Sequence, residues 1–391
     1  MRTMTMSRRM GAIKLAVALA ALAAVLGLTA CGSGIESEGN APGAQAGGAG
    51  NRVELEGKPS GSLTISNWPL YIDKQTVPDF EEETGVSVQY VEDVNANEEF
   101  FAKMQPLLTS GESGGRSIFV VTDWMANKMN ELGYLQEFDP AGIPNFEKNL
   151  VDNLRAPSYD PGRDFAAPWQ TGMTGIIVNK ELAPDVRSIC DLFDPQFKGK
   201  IEMLNELRDT VPLVMKCEGV DVEKATEADW MKAIEKIGEA AESGQIRRFT
   251  GNDYAADLTN GNAAAVIGWS GDAVQLQADN PEIEWRMPTE GCILWSDNMV
   301  IPVGAPNPTA AEAWINYVYE PKNAAQIEAY VNYVSPVEGT KEVLLKAEPE
   351  VAENPLIFPD ASFTKNCSIQ PSPTGEEEQN INRAFNAVLN G

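Results

Sequence analysis

Apolar and polar positions alternate along residues 61–68, as they do in a strand with one buried face. Residues 79–84 have helical spacing that stops at Gly85, and the alternation returns over residues 86–91. Residues 118–121 are wholly apolar and rich in β-branched side chains, which is typical of a central parallel strand covered on both faces. The pattern therefore predicts strands and helices in alternation.

Further apolar runs occupy residues 175–178, 263–268 and 299–303. Alternation of this kind favours an α/β fold with largely parallel sheets, in which ligands bind at the carboxyl ends of the strands. About 330 residues follow Ser60, which is more than one hydrophobic core usually supports. We therefore expect two lobes, and Gly and Pro residues place the first crossing between them at residues 168–173.

The N-terminal segment has the features of an export signal. Basic residues precede the apolar residues 15–30, a stretch shorter than the roughly 20 residues of a membrane-spanning helix. Cys31 follows directly, in a sequence (Leu28-Thr29-Ala30-Cys31) that resembles a bacterial lipobox. We expect residues 1–30 to be a lipoprotein signal peptide and Cys31 to be lipidated, with an ordinary signal peptide as the alternative. Residues 31–59, rich in Gly, Ala and Ser, predict a flexible tether to the extracytoplasmic face of the cell membrane.

Composition narrows the possible functions. The chain has 30 basic and 57 acidic residues and a net charge of −27, which argues against nucleic acid as a partner and favours cations, although acidity can also serve solubility alone. Histidine is absent, which excludes Ser-His-Asp and Cys-His catalysis and His-bearing zinc sites. The sequence Gly268-Trp269-Ser270-Gly271-Asp272 misses the spacing of a nucleophile elbow. We expect no enzyme activity, no cofactor and no metal, and only a carboxylate-pair glycosidase stays open as an enzymatic alternative.

Five short motifs lie near predicted strand ends: Asn67-Trp68-Pro69-Leu70-Tyr71-Ile72, Val121-Thr122-Asp123-Trp124-Met125, Phe197-Lys198-Gly199-Lys200, Trp269, and Ile293-Leu294-Trp295-Ser296-Asp297-Asn298. Together they resemble the spermidine/putrescine-binding proteins of bacterial ABC transporters, over nearly all of residues 62–391. The resemblance implies a two-lobed periplasmic-binding-protein fold with a ligand cleft between the lobes. It also implies a monomeric, non-enzymatic receptor that delivers a polyamine to permease and ATPase subunits.

With the crossing placed as above, each expected lobe is built from two stretches of chain. The first comprises residues 60–172 with 296–341, and the second comprises residues 173–295 with 342–391.

The resemblance also implies the ligand-binding residues. A polyamine is a methylene chain with spaced ammonium groups, so a selective site needs aromatic walls and carboxylates. The matching aromatic residues are Trp68, Tyr71, Trp124, Trp269, Trp295 and Tyr333, the carboxylates are Glu206, Asp209 and Asp297, and the polar contacts are Thr122 and Gln370. Taken singly, the tryptophans could be core residues, and Glu206 and Asp209 could simply begin a helix. Pro69 and Leu70 depart from the polar residues common in the family, which leaves the choice between putrescine and spermidine open.

Four cysteines follow Cys31, and they allow three pairings as two disulfides or can stay as free thiols. Cys190 and Cys217 flank one predicted strand–helix unit of the second lobe. Cys292 and Cys367 lie near segments that the resemblance brings to the cleft. We therefore favour the pairings 190–217 and 292–367.

Two other functions remain open from the sequence besides the glycosidase. One is a receptor for a different small organic cation, and the other is a sensor that docks on a membrane kinase instead of a permease.

We predict that Cys31→Ala releases the protein from the membrane, because no other cysteine lies at the end of the apolar segment. Cell fractionation with immunoblotting measures this. Ser33→Ala is the matched control and should stay in the membrane fraction. Membrane retention of the Cys31 variant would contradict the anchor.

Overall fold

The computed structural model describes residues 52–373 and 375–391. The expected signal peptide (1–30), the lipidation site Cys31 and residues 32–51 of the expected tether lie outside the described residues. Within the part of the chain that is described, no helix combines the length and apolar content needed to cross a bilayer.

Strands and helices alternate as the hydrophobic pattern predicts. The strands are β1 (Ser62–Asn67), β2 (Ser87–Glu92), β3 (Ile118–Thr122), β4 (Ala167–Asn179), β5 (Ile201–Leu204), β6 (Ile246–Thr250), β7 (Ala265–Trp269), β8 (Ile283–Arg286), β9 (Ile293–Val300) and β10 (Ser368–Ile369). The helices are α1 (Thr76–Thr84), α2 (Asn97–Thr109), α3 (Asp123–Glu131), α4 (Pro144–Asn149), α5 (Leu207–Cys217), α6 (Glu227–Glu242), α7 (Tyr254–Thr259), α8 (Ser270–Asp279), α9 (Pro308–Val318), α10 (Pro321–Val331), α11 (Thr340–Ala347), α12 (Pro349–Ala352) and α13 (Gly375–Asn390).

The strands have the burial that their composition predicts. Every residue of β3 and of β7 is buried, as expected for apolar runs covered on both faces. Helix α1 ends at Gly85, whose φ of 74° is in the left-handed region that glycine adopts without strain. Its first residue is Thr76, slightly before the expected start at residue 79.

The main sheet has the strand order β2-β1-β3-β9-β4-β7-β5-β6. Pairing is parallel at its two ends, between β1 and its neighbours β2 and β3, and between β5 and its neighbours β6 and β7. In the middle, β4 and β9 run antiparallel to each other and to β7 and β3. The expectation of largely parallel sheets therefore holds only at the ends, because the chain crosses the middle through β4 and returns through β9.

The C-terminal end of the expected tether contacts the fold at Val53 and Glu56. Val53 is buried, and its amide donates to the Glu137 carbonyl at 2.8 Å. The Glu56 amide donates to the Thr309 hydroxyl at 2.9 Å. These contacts hold residues before Ser60 against the fold, so the boundary expected at Ser60 lies too late in the chain.

Disulfides join Cys190 to Cys217 and Cys292 to Cys367, the pairings favoured from the sequence. The first ties the segment before β5 to the end of α5. The second holds β10 beside β9, where Ser368 pairs with Ile293. It therefore fixes the segment that leads to Gln370.

We predict that the Cys292–Cys367 disulfide stabilises the fold more than Cys190–Cys217. The bridges span 75 and 27 residues, and restriction of the unfolded chain gives about 4.5 and about 3.5 kcal/mol respectively. Urea unfolding of the two double Cys→Ala variants, each compared with the wild type, measures both losses. Equal losses, or a larger loss for the 190–217 variant, would contradict this order.

Candidate functional site

A cavity lies where several strands end. Trp68 follows β1, Thr122 ends β3, Trp269 ends β7, and Glu206 follows β5, so these side chains come from the carboxyl ends of parallel strands. The cavity is lined by Trp68, Pro69, Tyr71, Asn97, Thr122, Glu206, Asp209, Asn252, Trp269, Asp272, Trp295, Asp297, Tyr333 and Gln370. Every sequence-predicted ligand-binding residue except Trp124 is among them.

Asp297 is held by two hydroxyl donors. It pairs with Thr122 across the antiparallel β3–β9 ladder, so the Thr122 hydroxyl reaches one carboxylate oxygen at 2.7 Å. The Tyr71 hydroxyl donates to the other oxygen at 3.1 Å. Asp297 is only 6% exposed, and this burial raises the pKa of its carboxyl group to about 7.

Glu206 is the N-cap residue of α5 and Asp209 lies in its first turn, and both side chains line the cavity. Asn97 is the first residue of α2, and its backbone amide donates a hydrogen bond to the Glu206 carboxylate at 3.0 Å. Asp209 accepts from the Thr174 hydroxyl, which in turn accepts from the Trp295 indole at 3.0 Å. Burial raises the pKa of Asp209 to about 7 and that of Glu206 well above its usual value.

Aromatic rings form the remaining walls. The Trp68 and Trp269 rings meet edge to face with centroids 6.4 Å apart. The Tyr333 ring packs against two other rings, with its centroid 5.1 Å from that of Tyr71 and 5.5 Å from that of Trp295. The walls thus offer π faces and apolar edges beside the carboxylates.

Two glycines make room for these rings. A Cβ at Gly172, which pairs with Trp295 in the β4–β9 ladder, would lie 2.4 Å from the Trp295 ring. A Cβ at Gly271 would lie 2.4 Å from the Tyr333 ring. Any larger residue at either position would displace an aromatic wall of the cavity.

Asp272 is a cavity carboxylate that the sequence analysis missed. It accepts from the Tyr333 hydroxyl at 2.6 Å, and from the Tyr254 hydroxyl and the Asn252 amide at 2.7 Å each. Burial raises its pKa, although the three donors oppose the shift. The sequence does contain a signal for Asp272, because an acidic residue in the first turn of α8 follows Trp269 directly. That segment was interpreted only as a possible nucleophile elbow. Asn97, Asn252 and Pro69 are the other lining residues that were missed.

Trp124 is the one predicted site residue that is not among the lining residues. Its ring is covered by the Arg208 guanidinium, whose central carbon is 3.5 Å from the ring centroid. Trp124 stays a predicted ligand contact, although a cation of the chain itself already covers one face of its ring.

The cavity wall carries acidic side chains and no basic ones among the described residues. Glu206, Asp209, Asp272 and Asp297 line it, and no Lys or Arg of the described residues does. No group of acidic or cysteine side chains in the described ranges has the arrangement of a metal site. The arrangement can therefore hold an organic cation between carboxylates and aromatic faces.

We predict that the ligand-free protein loses stability as pH rises from about 4 to about 7. Asp209 and Asp297 release their protons near pH 4 when unfolded but near 7 when folded, so the folded state binds more protons in this window. The free energy of unfolding should fall by up to about 1.4 kcal/mol per pH unit for each group.

Urea unfolding at several pH values measures this slope. Asp297→Asn and Asp209→Asn should each flatten it, and the double variant should flatten it further. Slopes equal to that of the wild type in both single variants would contradict the assigned shifts.

Comparison with known proteins identifies the family. A family model described as "Bacterial extracellular solute-binding protein" matches residues 75–359. The chain is 27% identical to the "Spermidine/putrescine-binding periplasmic protein 1" of Haemophilus influenzae, over 79% of this chain and 84% of that protein. It is 29% identical to the "Putrescine/agmatine-binding protein" of Pseudomonas aeruginosa, over 76% of this chain and 83% of that protein.

A solved structure has the same fold. It is the spermidine/putrescine ABC transporter substrate-binding protein of Streptococcus pneumoniae, with a TM-score of 0.68 and 27% identity over 84% of this chain and 98% of that one. The relatives of the present chain are two-lobed solute-binding proteins of transport systems, not enzymes. The family model covers most of the chain and the fold agrees with it, so this protein belongs to the bacterial extracellular solute-binding proteins.

Proposed function

We propose that this protein captures a polyamine, putrescine or spermidine, outside the cytoplasm and delivers it to an ABC permease. The observation that carries the proposal is the cavity wall. Four carboxylates and five aromatic rings line it, with no Lys or Arg from the described residues. Such a wall suits a ligand whose ammonium groups are separated by methylene segments, because each part of the ligand meets its chemical complement.

The carboxylates support this function through their burial. Asp209 and Asp297 are buried without a cationic partner in the cavity, which raises the pKa of each to about 7. An entering ammonium group supplies the missing charge and favours the ionised carboxylate. Cation–π contacts with the tryptophans contribute on the order of 0.5–2 kcal/mol each.

The names of the relatives agree with this ligand class. The Haemophilus influenzae protein is named for spermidine and putrescine, and the Pseudomonas aeruginosa protein for putrescine and agmatine. Both names describe organic polycations. A carboxylate-pair glycosidase is set aside, because the family consists of solute-binding proteins.

The binding motion follows from the sheet. We assign residues 60–172 with 296–341 to one lobe and residues 173–295 with 342–391 to the other, except that α11 and α12 pack with α10 and so belong to the first lobe. Residues 171–173 of β4 pair with residues 294–296 of β9, so the two crossing strands lie side by side where the lobes would hinge. Closure of the lobes about this pair would remove the ligand from water, as in other two-domain receptors.

The remaining parts of the proposal concern location and partners. Cys31 anchors the mature chain by its lipid to the extracytoplasmic face of the cell membrane, and the residues that follow it serve as the tether. The receptor acts as a monomer. Its partners are the permease and ATPase subunits of the transporter.

We predict that Asp297→Asn weakens polyamine binding by at least about tenfold. The substitution keeps the side-chain shape and removes a buried charge that would pair with ammonium, and losing one member of such a pair typically costs about 2–5 kcal/mol. Isothermal titration with putrescine, spermidine, agmatine and cadaverine measures the affinity and identifies the preferred ligand.

Glu82→Gln is the control, because Glu82 is an exposed acid of α1 outside the cavity. It should change the affinity by less than about twofold, since exposed charges are screened by salt. Wild-type affinity in the Asp297 variant would refute the role assigned to this carboxylate.

A further inference from the structure

Arg208 is a buried cation beside the cavity. It lies in the first turn of α5, between Glu206 and Asp209, and is only 1% exposed. One terminal nitrogen donates to Glu98 at 3.1 Å and the other to Glu378 at 2.8 Å. The flat face of its guanidinium covers the Trp124 ring. The side chain is thus held by three different helices.

These helices come from the two opposite ends of the sheet. Glu98 belongs to α2 and Trp124 to α3, which flank β3 along the chain. Arg208 belongs to α5, which follows β5, and Glu378 to α13, which packs against α6. In the strand order, β3 and β5 are separated by β9, β4 and β7. The Arg208 contacts therefore connect the two ends of the sheet to each other.

A second set of contacts runs alongside this bridge. The backbone amide of Asn97 in α2 donates to Glu206, the N-cap residue of α5, while Arg208 of α5 donates to the next α2 residue, Glu98. The N-terminal ends of the two helices thus exchange hydrogen bonds in both directions. Lys128 of α3 also donates to Glu378 of α13 at 3.3 Å.

A buried guanidinium is stable only while its anionic partners stay in place. If the two ends moved apart, Arg208 would lose Glu98 and the Trp124 face together, and Glu206 would lose the Asn97 amide. Both losses fall on the helix turn that carries two cavity carboxylates. The position of that turn is therefore coupled to contact between the ends.

We infer that Arg208 is a positioning residue of the binding site: by joining α5 and α13 to α2 and α3 it orients Glu206 and Asp209 and slows release of the bound polycation. The inference rests on the proposed function for its ligand. It assigns a role to a residue that does not line the cavity.

The test uses Arg208→Met and Arg208→Lys in the full mature protein. Met keeps an apolar stem against Trp124 without the charge, and Lys keeps the charge but cannot donate to Glu98 and Glu378 in the same forked geometry. Stopped-flow tryptophan fluorescence with putrescine and spermidine gives the association and dissociation rates. Met should raise the dissociation rate at least tenfold with the association rate within threefold, and Lys should restore part of the loss.

Glu218→Gln is the matched control at the other end of α5. Glu218 pairs with Lys232 and Lys236 of α6, so its ion pairs stay within one end of the sheet. This variant should leave the dissociation rate unchanged. Glu98→Gln, which keeps Arg208 in place, should raise the rate about threefold and serves if the Met variant does not fold.

Hydrogen exchange of the amides of residues 206–210, measured without ligand, separates this inference from the proposed function. Exchange should be faster in Arg208→Met than in Glu218→Gln. If the wild type bound no polyamine, the proposed function would fail and the exchange result would still decide the positioning role. Wild-type dissociation and exchange in the Arg208 variants, or equal effects of Glu218→Gln, would overturn the inference.

Discussion

The pairing of β9 with β3 on one side and β4 on the other is the constraint on which the site depends. The β3 register sets Asp297 opposite Thr122, and the β4 register sets Trp295 opposite Gly172. A shift by one residue would turn Trp295 and Asp297 to the other face of the sheet. Strands β9 and β4 connect the two ends of the sheet. The site is therefore built on the strands about which those ends would move.

Burial of carboxylates without a nearby free cation is the main energetic cost of this site. The protein lowers that cost with neutral donors: the hydroxyls of Thr122 and Tyr71 serve Asp297, and the Thr174 hydroxyl serves Asp209. Neutral hydroxyls stabilise a carboxylate less than an ion pair does. The ligand-free cavity therefore keeps a strong preference for positive charge, which an internal Lys or Arg in the wall would cancel.

An indole ring with a cation over its face can serve either the fold or the ligand site of this protein. At Trp124 the cation over the indole is Arg208, part of the chain, which also donates hydrogen bonds to Glu98 and Glu378. At Trp269 and Trp295 no cation of the described chain lines the wall beside them. Whether an indole can bind a ligand thus depends on whether the fold has already supplied its cation, and aromatic identity alone does not reveal this.

The order of strands and helices was determined by the sequence, because alternating and continuous apolar runs each suit only one kind of burial. The aromatic and acidic site positions came from the resemblance to the polyamine-binding family, and the alternation of elements agreed with their place near the carboxyl ends of strands. Three features required the tertiary structure: the antiparallel middle of the sheet, the place of Asp272 in the cavity wall, and the position of Arg208 over the Trp124 ring. Each depends on contacts between residues far apart in sequence, as when Arg208 covers Trp124 or Tyr333 reaches Asp272. Local pattern fixes which face a side chain presents, but only the packed chain decides which distant group meets it.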